Sequence, residues 1–127
     1  MKLNEKSDIL MIDDQIQVQQ VMKRLLEMKG YNVTSAFSGL EGLEKLKKKK
    51  FALILLDINM IGLNGVETLK RIREIDFETV IIMLTGEHNE EIAKTCFKLG
   101  ANNFITKPFD SEVFDTAVET AIFLSKK

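Results

Sequence analysis

Leu53-Ile54-Leu55-Leu56-Asp57 is an unbroken apolar run closed by an acid. A strand with one wet face alternates polar and apolar residues, so a continuous run of this length predicts a strand covered on both faces. Two further runs share that character, Ile9-Leu10-Met11-Ile12 before it and Val80-Ile81-Ile82-Met83-Leu84 after it. Tyr31 to Ala36 and Asn102 to Thr106 mix Val33, Phe104 and Ile105 with polar residues, which predicts shorter or more exposed strands.

Helical spacing fills the gaps. Val18, Val21, Met22, Leu25 and Leu26 form one apolar stripe, closed by Gly30, and Phe114, Ala117, Val118, Ala121 and Ile122 repeat it near the C-terminus. Ser38 followed by Glu41 is a capping-box pattern ahead of Leu43 and Leu46. Asn64 precedes Val66, Leu69 and Ile72, and Ile92, Cys96 and Leu99 form a stripe that stops at Gly100. The result is five strand and helix pairs, from a first strand near residues 8–13 to a last helix near 110–126. Strands separated by helices of this length run parallel, with right-handed crossovers and helices on both faces. The expected fold class is α/β, a doubly wound five-stranded parallel sheet.

The composition agrees. With 127 residues, 45% hydrophobic, the chain has the size of one domain and buries enough surface to fold without disulfides or a structural metal. The pattern accounts for residues 1–127 as a single unit, with no output domain expected. A formal net charge of -1 gives no general attraction to nucleic acid or anionic membrane. The one basic run, Lys47 to Lys50, falls at the expected end of the second helix, where cations offset the helix dipole. Cys96 is the single cysteine, and residues 1–8 are polar rather than a secretory leader. No apolar stretch reaches the roughly 20 residues needed to span a bilayer. A reducing cytoplasm is the expected location.

In such a sheet, ligands bind beyond the carboxyl ends of the strands. There the sequence places Asp13 and Asp14 after the first strand, Asp57 after the third, Thr85 after the fourth, and Lys107 with Pro108 after the fifth. Three carboxylates, a hydroxyl and an ammonium would converge at one edge. Crowded carboxylates repel by up to about 4 kcal/mol for a pair 4 Å apart at an effective dielectric near 20. One lysine does not offset three acids. A hard divalent cation does, and Mg2+ favours a few carboxylates together with a phosphate. A carboxylate beside Mg2+ can be a nucleophile toward a phosphoryl group, whose charge then calls for Lys107 and the Thr85 hydroxyl.

The Asp13-Asp14 pair, the apolar strand ending in Asp57, Thr85-Gly86 and Lys107-Pro108 together resemble the receiver domain of two-component response regulators, over essentially the whole chain. The resemblance implies a flavodoxin-like or CheY-like (βα)5 fold with strand order 2-1-3-4-5. It implies Asp57 as phosphoacceptor, with Mg2+ held by Asp13, Asp14, Asp57 and the backbone carbonyl of Asn59. Thr85 and Lys107 would bind phosphoryl oxygens, and a cis Lys107-Pro108 peptide would aim the lysine inward. Phe104 stands at the aromatic switch position, turning inward as Thr85 moves and remodelling the face made by the fourth helix, fifth strand and fifth helix. Asn59 and Glu87, two residues beyond Asp57 and Thr85, stand where phosphoryl lifetime is tuned. The implied partners are a sensor histidine kinase or histidine phosphotransfer protein and a downstream target protein, with no direct nucleic-acid contact. One departure stands out: the family often has Pro four residues after the phosphoacceptor, and here that residue is Ile61, followed by Gly62-Leu63-Asn64-Gly65. A freer loop is expected, since Pro would fix φ.

Plainer readings exist residue by residue. Asp14 could cap the following helix, Thr85 and Asn59 could be turn residues, Lys107 a solvated lysine, His88 a surface residue near the start of the fourth helix, Cys96 core, and Phe104 permanently buried. Asp57 is harder to explain away, because an acid ending an apolar strand is desolvated at a cost unless it is partnered. Three other functions compete with the phosphorylated switch. A pseudo-receiver would be a constitutive interaction module. A flavodoxin-like carrier would need donors where Asp13 and Asp14 would repel a flavin phosphate, and a phosphatase with an aspartate nucleophile would need an Asp-x-Asp strand end that is missing here. As an enzyme the chain is expected to do no more than assist its own phosphorylation and dephosphorylation.

Overall fold

The computed structural model describes residues 6–87 and 89–126. The chain alternates β1 (Asp8–Ile12), α1 (Ile16–Met28), β2 (Asn32–Ala36), α2 (Gly39–Lys48), β3 (Leu53–Asp57), α3 (Gly65–Ile75), β4 (Val80–Thr85), α4 (Glu90–Lys98), β5 (Asn103–Thr106) and α5 (Ser111–Ser125). The strands form one parallel sheet in the order β2-β1-β3-β4-β5. His88 and residues 1–5, part of the polar start of the chain, lie outside the described residues. Among the described residues, no helix is long and apolar enough to cross a membrane.

The continuous apolar runs are explained by the two sides of the sheet. Ile9, Met11, Leu53, Leu55, Ile82 and Leu84 point to one side, where they pack with Met22 and Leu26 of α1 and Phe114 and Val118 of α5. Their neighbours Leu10, Ile12, Ile54, Leu56, Ile81 and Met83 point to the other, against Leu69 and Ile72 of α3 and Cys96 of α4. Successive strand side chains face opposite ways, so a strand with helices on both faces has no position for a polar residue until it leaves the sheet. Each such aliphatic side chain contributes about 1.5–3 kcal/mol when buried.

Helix starts follow the expected chemistry. Ser38 accepts from the Glu41 N–H, Asn64 from Glu67, Asn89 from Ile92, and Asp110 from Glu112 and Val113. Gly30 and Gly100, which follow the ends of α1 and α4, have φ of +96° and +108°. The stripe expected on α1 needs correction. Val21 and Leu25 are 58% and 49% exposed, whereas Gln19 is buried. The helix is turned so that the Gln19 carboxamide faces the strand ends, donating to Met11 O at 3.0 Å, Asp13 O at 3.0 Å and Ala36 O at 2.8 Å. Buried carbonyls need donors, and meeting that need moves Val21 and Leu25 to the solvent flank.

The amino-terminal edge of the sheet is closed by ordinary contacts. The Ala52 N–H donates to Asp8 O at 2.8 Å, and Lys49 pairs with the Asp8 carboxylate at 3.0 Å. The two outer strands are more polar than the inner ones: Asn32, Thr34 and Ser35 lie on β2, and Asn103 and Thr106 on the four residues of β5.

Candidate functional site

Polar chemistry gathers at the opposite edge because β1 and β3 lie side by side in parallel and end together. Asp13, just past β1, is 0% exposed, and Asp57, the last residue of β3, is 4% exposed. Asp14 is half-buried. Each of these three acids offers an oxygen within 4.8 Å of the others. Lys107, which follows β5, reaches across with Nζ 3.3 Å from Asp57 Oδ1 and 3.4 Å from Asp13 Oδ2. Both distances are longer than a closed charge-assisted bond, about 2.7–2.9 Å. The ammonium is shared between two acids and settled on neither.

Local structure fixes each acid differently. The backbone of Asp13 donates to Ala36 O at 3.0 Å, and its Oδ1 accepts from the Gln15 N–H at 2.9 Å. Asp14 does not cap α1, whose N-cap is Gln15 with no side-chain cap bond. Instead Asp14 Oδ2 accepts from the backbone N–H of Ile61 at 2.9 Å. Asp57 stands where α3 comes close to β3: a Cβ at Gly65 would fall 2.4 Å from Asp57 O and 2.5 Å from Ile58 Cα. Only glycine allows that approach. Burial pushes the Asp57 carboxyl above its ordinary range, the Asp13 charge adds to the rise, and Lys107 opposes it.

The other expected residues are arranged around this centre. Thr85 ends β4, 3% exposed, and its hydroxyl donates to Glu87 O and accepts from the Glu87 N–H, both at 3.2 Å. That hydroxyl is engaged in its own turn, not with the acids. Glu87 and Asn59 are exposed. A Cβ at Gly86 would lie 4.0 Å from Asn59 Nδ2, so the Asn59 side chain leans toward the loop after β4. Phe104 pairs in register with Met83 and is half-buried rather than enclosed. The Lys107–Pro108 peptide is cis. Gln19, the Ile61 N–H and Gly65 were not singled out by sequence reasoning. Gln17 and Gln20 stand beside Gln19, so residue type does not mark it out, whereas a glycine directly after an N-cap Asn is a signal for Gly65. A backbone donor such as that of Ile61 leaves none.

Three oxygen-bearing acids, two of them buried, with one shared lysine form a donor set that suits a hard divalent cation such as Mg2+. The arrangement offers a nucleophilic carboxylate, positive charge for a phosphoryl group and a hydroxyl one strand away.

Comparisons with known proteins agree with this geometry. The family model described as response regulator receiver domain matches residues 9–119. Transcriptional regulatory protein YkoG of Bacillus subtilis is 36% identical over 118 residues, which are 93% of this chain and 52% of that protein. The CpxR homolog of Haemophilus influenzae is 39% identical over 105 residues, 82% of this chain and 45% of that one. The chain thus spans about half the length of these curated relatives. Among solved structures, Vibrio cholerae chemotaxis protein CheY4 superposes with a TM-score of 0.84 at 30% identity, covering 92% of this chain and 99% of that one. A CheY-like receiver domain protein from Methanospirillum hungatei gives 0.88 at 28% identity, covering 96% and 98%.

Proposed function

Because this chain belongs to the response regulator receiver domain family, we propose that it is a phosphorylation-activated switch of a two-component system or phosphorelay, with Asp57 as the phosphoacceptor. The observation that carries the reading is the shared lysine: Lys107 Nζ stands 3.3 and 3.4 Å from two of three crowded acids, a charge arrangement left incomplete by the protein itself.

Asp57 is the nucleophile. One carboxylate oxygen attacks phosphorus in a phosphohistidine of a sensor kinase or phosphotransfer protein. The bond from phosphorus to the imidazole nitrogen breaks, and its electron pair stays on that nitrogen. Asp13, Asp14, Asp57 and the Asn59 carbonyl would hold Mg2+, which supplies positive charge to the phosphoryl oxygens. Lys107 turns from the acids to a phosphoryl oxygen. The Thr85 hydroxyl leaves its turn with Glu87 to donate to another, and the half-buried Phe104 moves into the space that Thr85 vacates. The α4-β5-α5 face then differs between the two states and is offered to a target protein. Asn59 and Glu87 flank the phosphoryl group and set how easily water reaches it. Phosphorylation acts by favouring one of two conformers, so the chain assists its own modification without turnover of a substrate. A reducing cytoplasm fits the free, buried Cys96.

The test is phosphate incorporation from acetyl phosphate with Mg2+. The wild type is expected to incorporate close to one phosphate per chain and Asp57→Asn none. Wild-type incorporation by Asp57→Asn would remove the assignment. A wild type that neither incorporates phosphate nor responds to beryllofluoride would mark the domain as a constitutive interaction module.

A further inference from the structure

The loop between β3 and α3 is tied at its tip to an acid of the site. The Ile61 N–H donates to Asp14 Oδ2 at 2.9 Å, yet the Ile61 residue is 90% exposed and the next residue, Gly62, has a φ of +83°. Ile61 therefore contributes its backbone here and not its side chain. Asp14 makes no cap to α1, and while bound to Ile61 it keeps an oxygen within 4.8 Å of ligand oxygens of Asp13 and Asp57. Those two acids repel it. A half-buried aspartate can relieve such repulsion by rotating its carboxylate into water. A charge-assisted bond from a backbone donor opposes that rotation. A carboxylate has about four lone-pair sites, so one donor leaves room for a cation.

We propose that the Ile61 backbone N–H is a positioning group for the divalent-cation site: it holds the Asp14 carboxylate beside Asp13 and Asp57, so that cation affinity and the order of the β3–α3 loop rise and fall together. The inference rests on the Mg2+ reading above. Coupling of this kind is reciprocal, so bound Mg2+ slows hydrogen exchange at the Ile61 amide, and loss of the amide weakens Mg2+ binding.

Two measurements on the whole chain test it. In Mg2+ titrations followed by calorimetry and amide chemical shifts, Ile61→Ala keeps the N–H and is expected within about twofold of wild-type affinity, whereas Ile61→Pro has no donor and is expected about fivefold weaker or more. Binding by Ile61→Pro equal to or tighter than wild type overturns the inference, and so does an equal loss in Ile61→Ala. Proline also restricts the backbone around it, so the second measurement avoids that variant: exchange of the Ile61 amide without metal. It is expected to be at least about fivefold faster in Asp14→Ala than in wild type, as a lost hydrogen bond of this strength implies; equal rates overturn the inference. A wild type with no saturable Mg2+ response ends the metal reading and this coupling with it. The metal-free exchange contrast would survive that result, so the two failures are told apart.

Discussion

The two edges of the sheet handle charge in opposite ways. At the amino-terminal edge, Asp8 meets Lys49 at 3.0 Å with side chains 29% and 50% exposed, one acid for one base with water at hand. At the carboxyl edge, three acids crowd together and, among the described residues, only one base pairs with them: Lys107 is shared by Asp13 and Asp57, both almost wholly buried, while Asp14 has no base at hand. The first arrangement is complete and adds little, since exposed pairs contribute about 0–1 kcal/mol. The second carries more negative than positive charge, and two of its acids are desolvated. The contrast separates a structural ion pair from a reactive one by balance and burial rather than by distance.

That contrast can be broken or sharpened in several ways. The largest effect is the loss of phosphate incorporation in Asp57→Asn, against full incorporation in Asp8→Asn, measured with acetyl phosphate and Mg2+. Lys107→Ala leaves two buried acids without their shared cation. Metal-free unfolding in urea should show a loss of about 2–3 kcal/mol, below the 3–5 of a fully buried pair because Lys107 keeps some solvent. In the same variant, the response to phosphorylation should fall further than Mg2+ affinity does, and an equal fall in both would contradict the role given to Lys107. Gly65→Ala forces a Cβ against Asp57 O and Ile58 Cα; a loss of about 1–3 kcal/mol is expected, and an unchanged denaturation midpoint would show that α3 can shift away.

A smaller effect concerns pH. The folded Asp57 carboxyl holds its proton more tightly than the unfolded chain does, because burial and Asp13 outweigh Lys107. Metal-free stability from Asp57 therefore declines as pH rises from the ordinary aspartate value, about 3.9, through the raised one. Thermal melts in EDTA should show Asp57→Asn flattening that decline, and parallel curves for the two proteins would contradict it. Smallest of all, Lys49→Ala should change stability by less than about 1 kcal/mol; a larger loss would mean that the amino-terminal pair is not an ordinary exposed one.

Much of this was legible in the sequence, for identifiable reasons. The runs at residues 9–12, 53–56 and 80–84 have the length and continuity expected of strands covered on both faces, and the residue closing each one marks the site edge. Asn64 and Ser38 marked helix starts through a local bond that depends on nothing distant. What escaped depends on long-range partners. Gln19 reads as a polar interruption until the carbonyls of Met11, Asp13 and Ala36 are seen around it. The plainer alternative for Asp14, a helix cap, falls away only when its bond to Ile61, 47 residues away, is seen. The loop expected to be freer for want of a proline is tied by the N–H that a proline would lack. Thr85 was placed correctly on its strand end, but that its hydroxyl turns to Glu87 could not be read from residue type.

The polar outer strands bear on how this protein keeps in storage. Segments such as Val80–Thr85 and Leu53–Asp57 would pair readily with copies of themselves, yet both lie inside the sheet. The strands at the two flanks are less apolar, with Asn32, Thr34 and Ser35 on β2 and Asn103 and Thr106 on the four residues of β5, so they lack the hydrophobic run that favours cross-β pairing. Clumping in a concentrated sample should therefore follow the rate at which whole molecules unfold, and a ligand that slows unfolding should lengthen shelf life by the factor of that slowing.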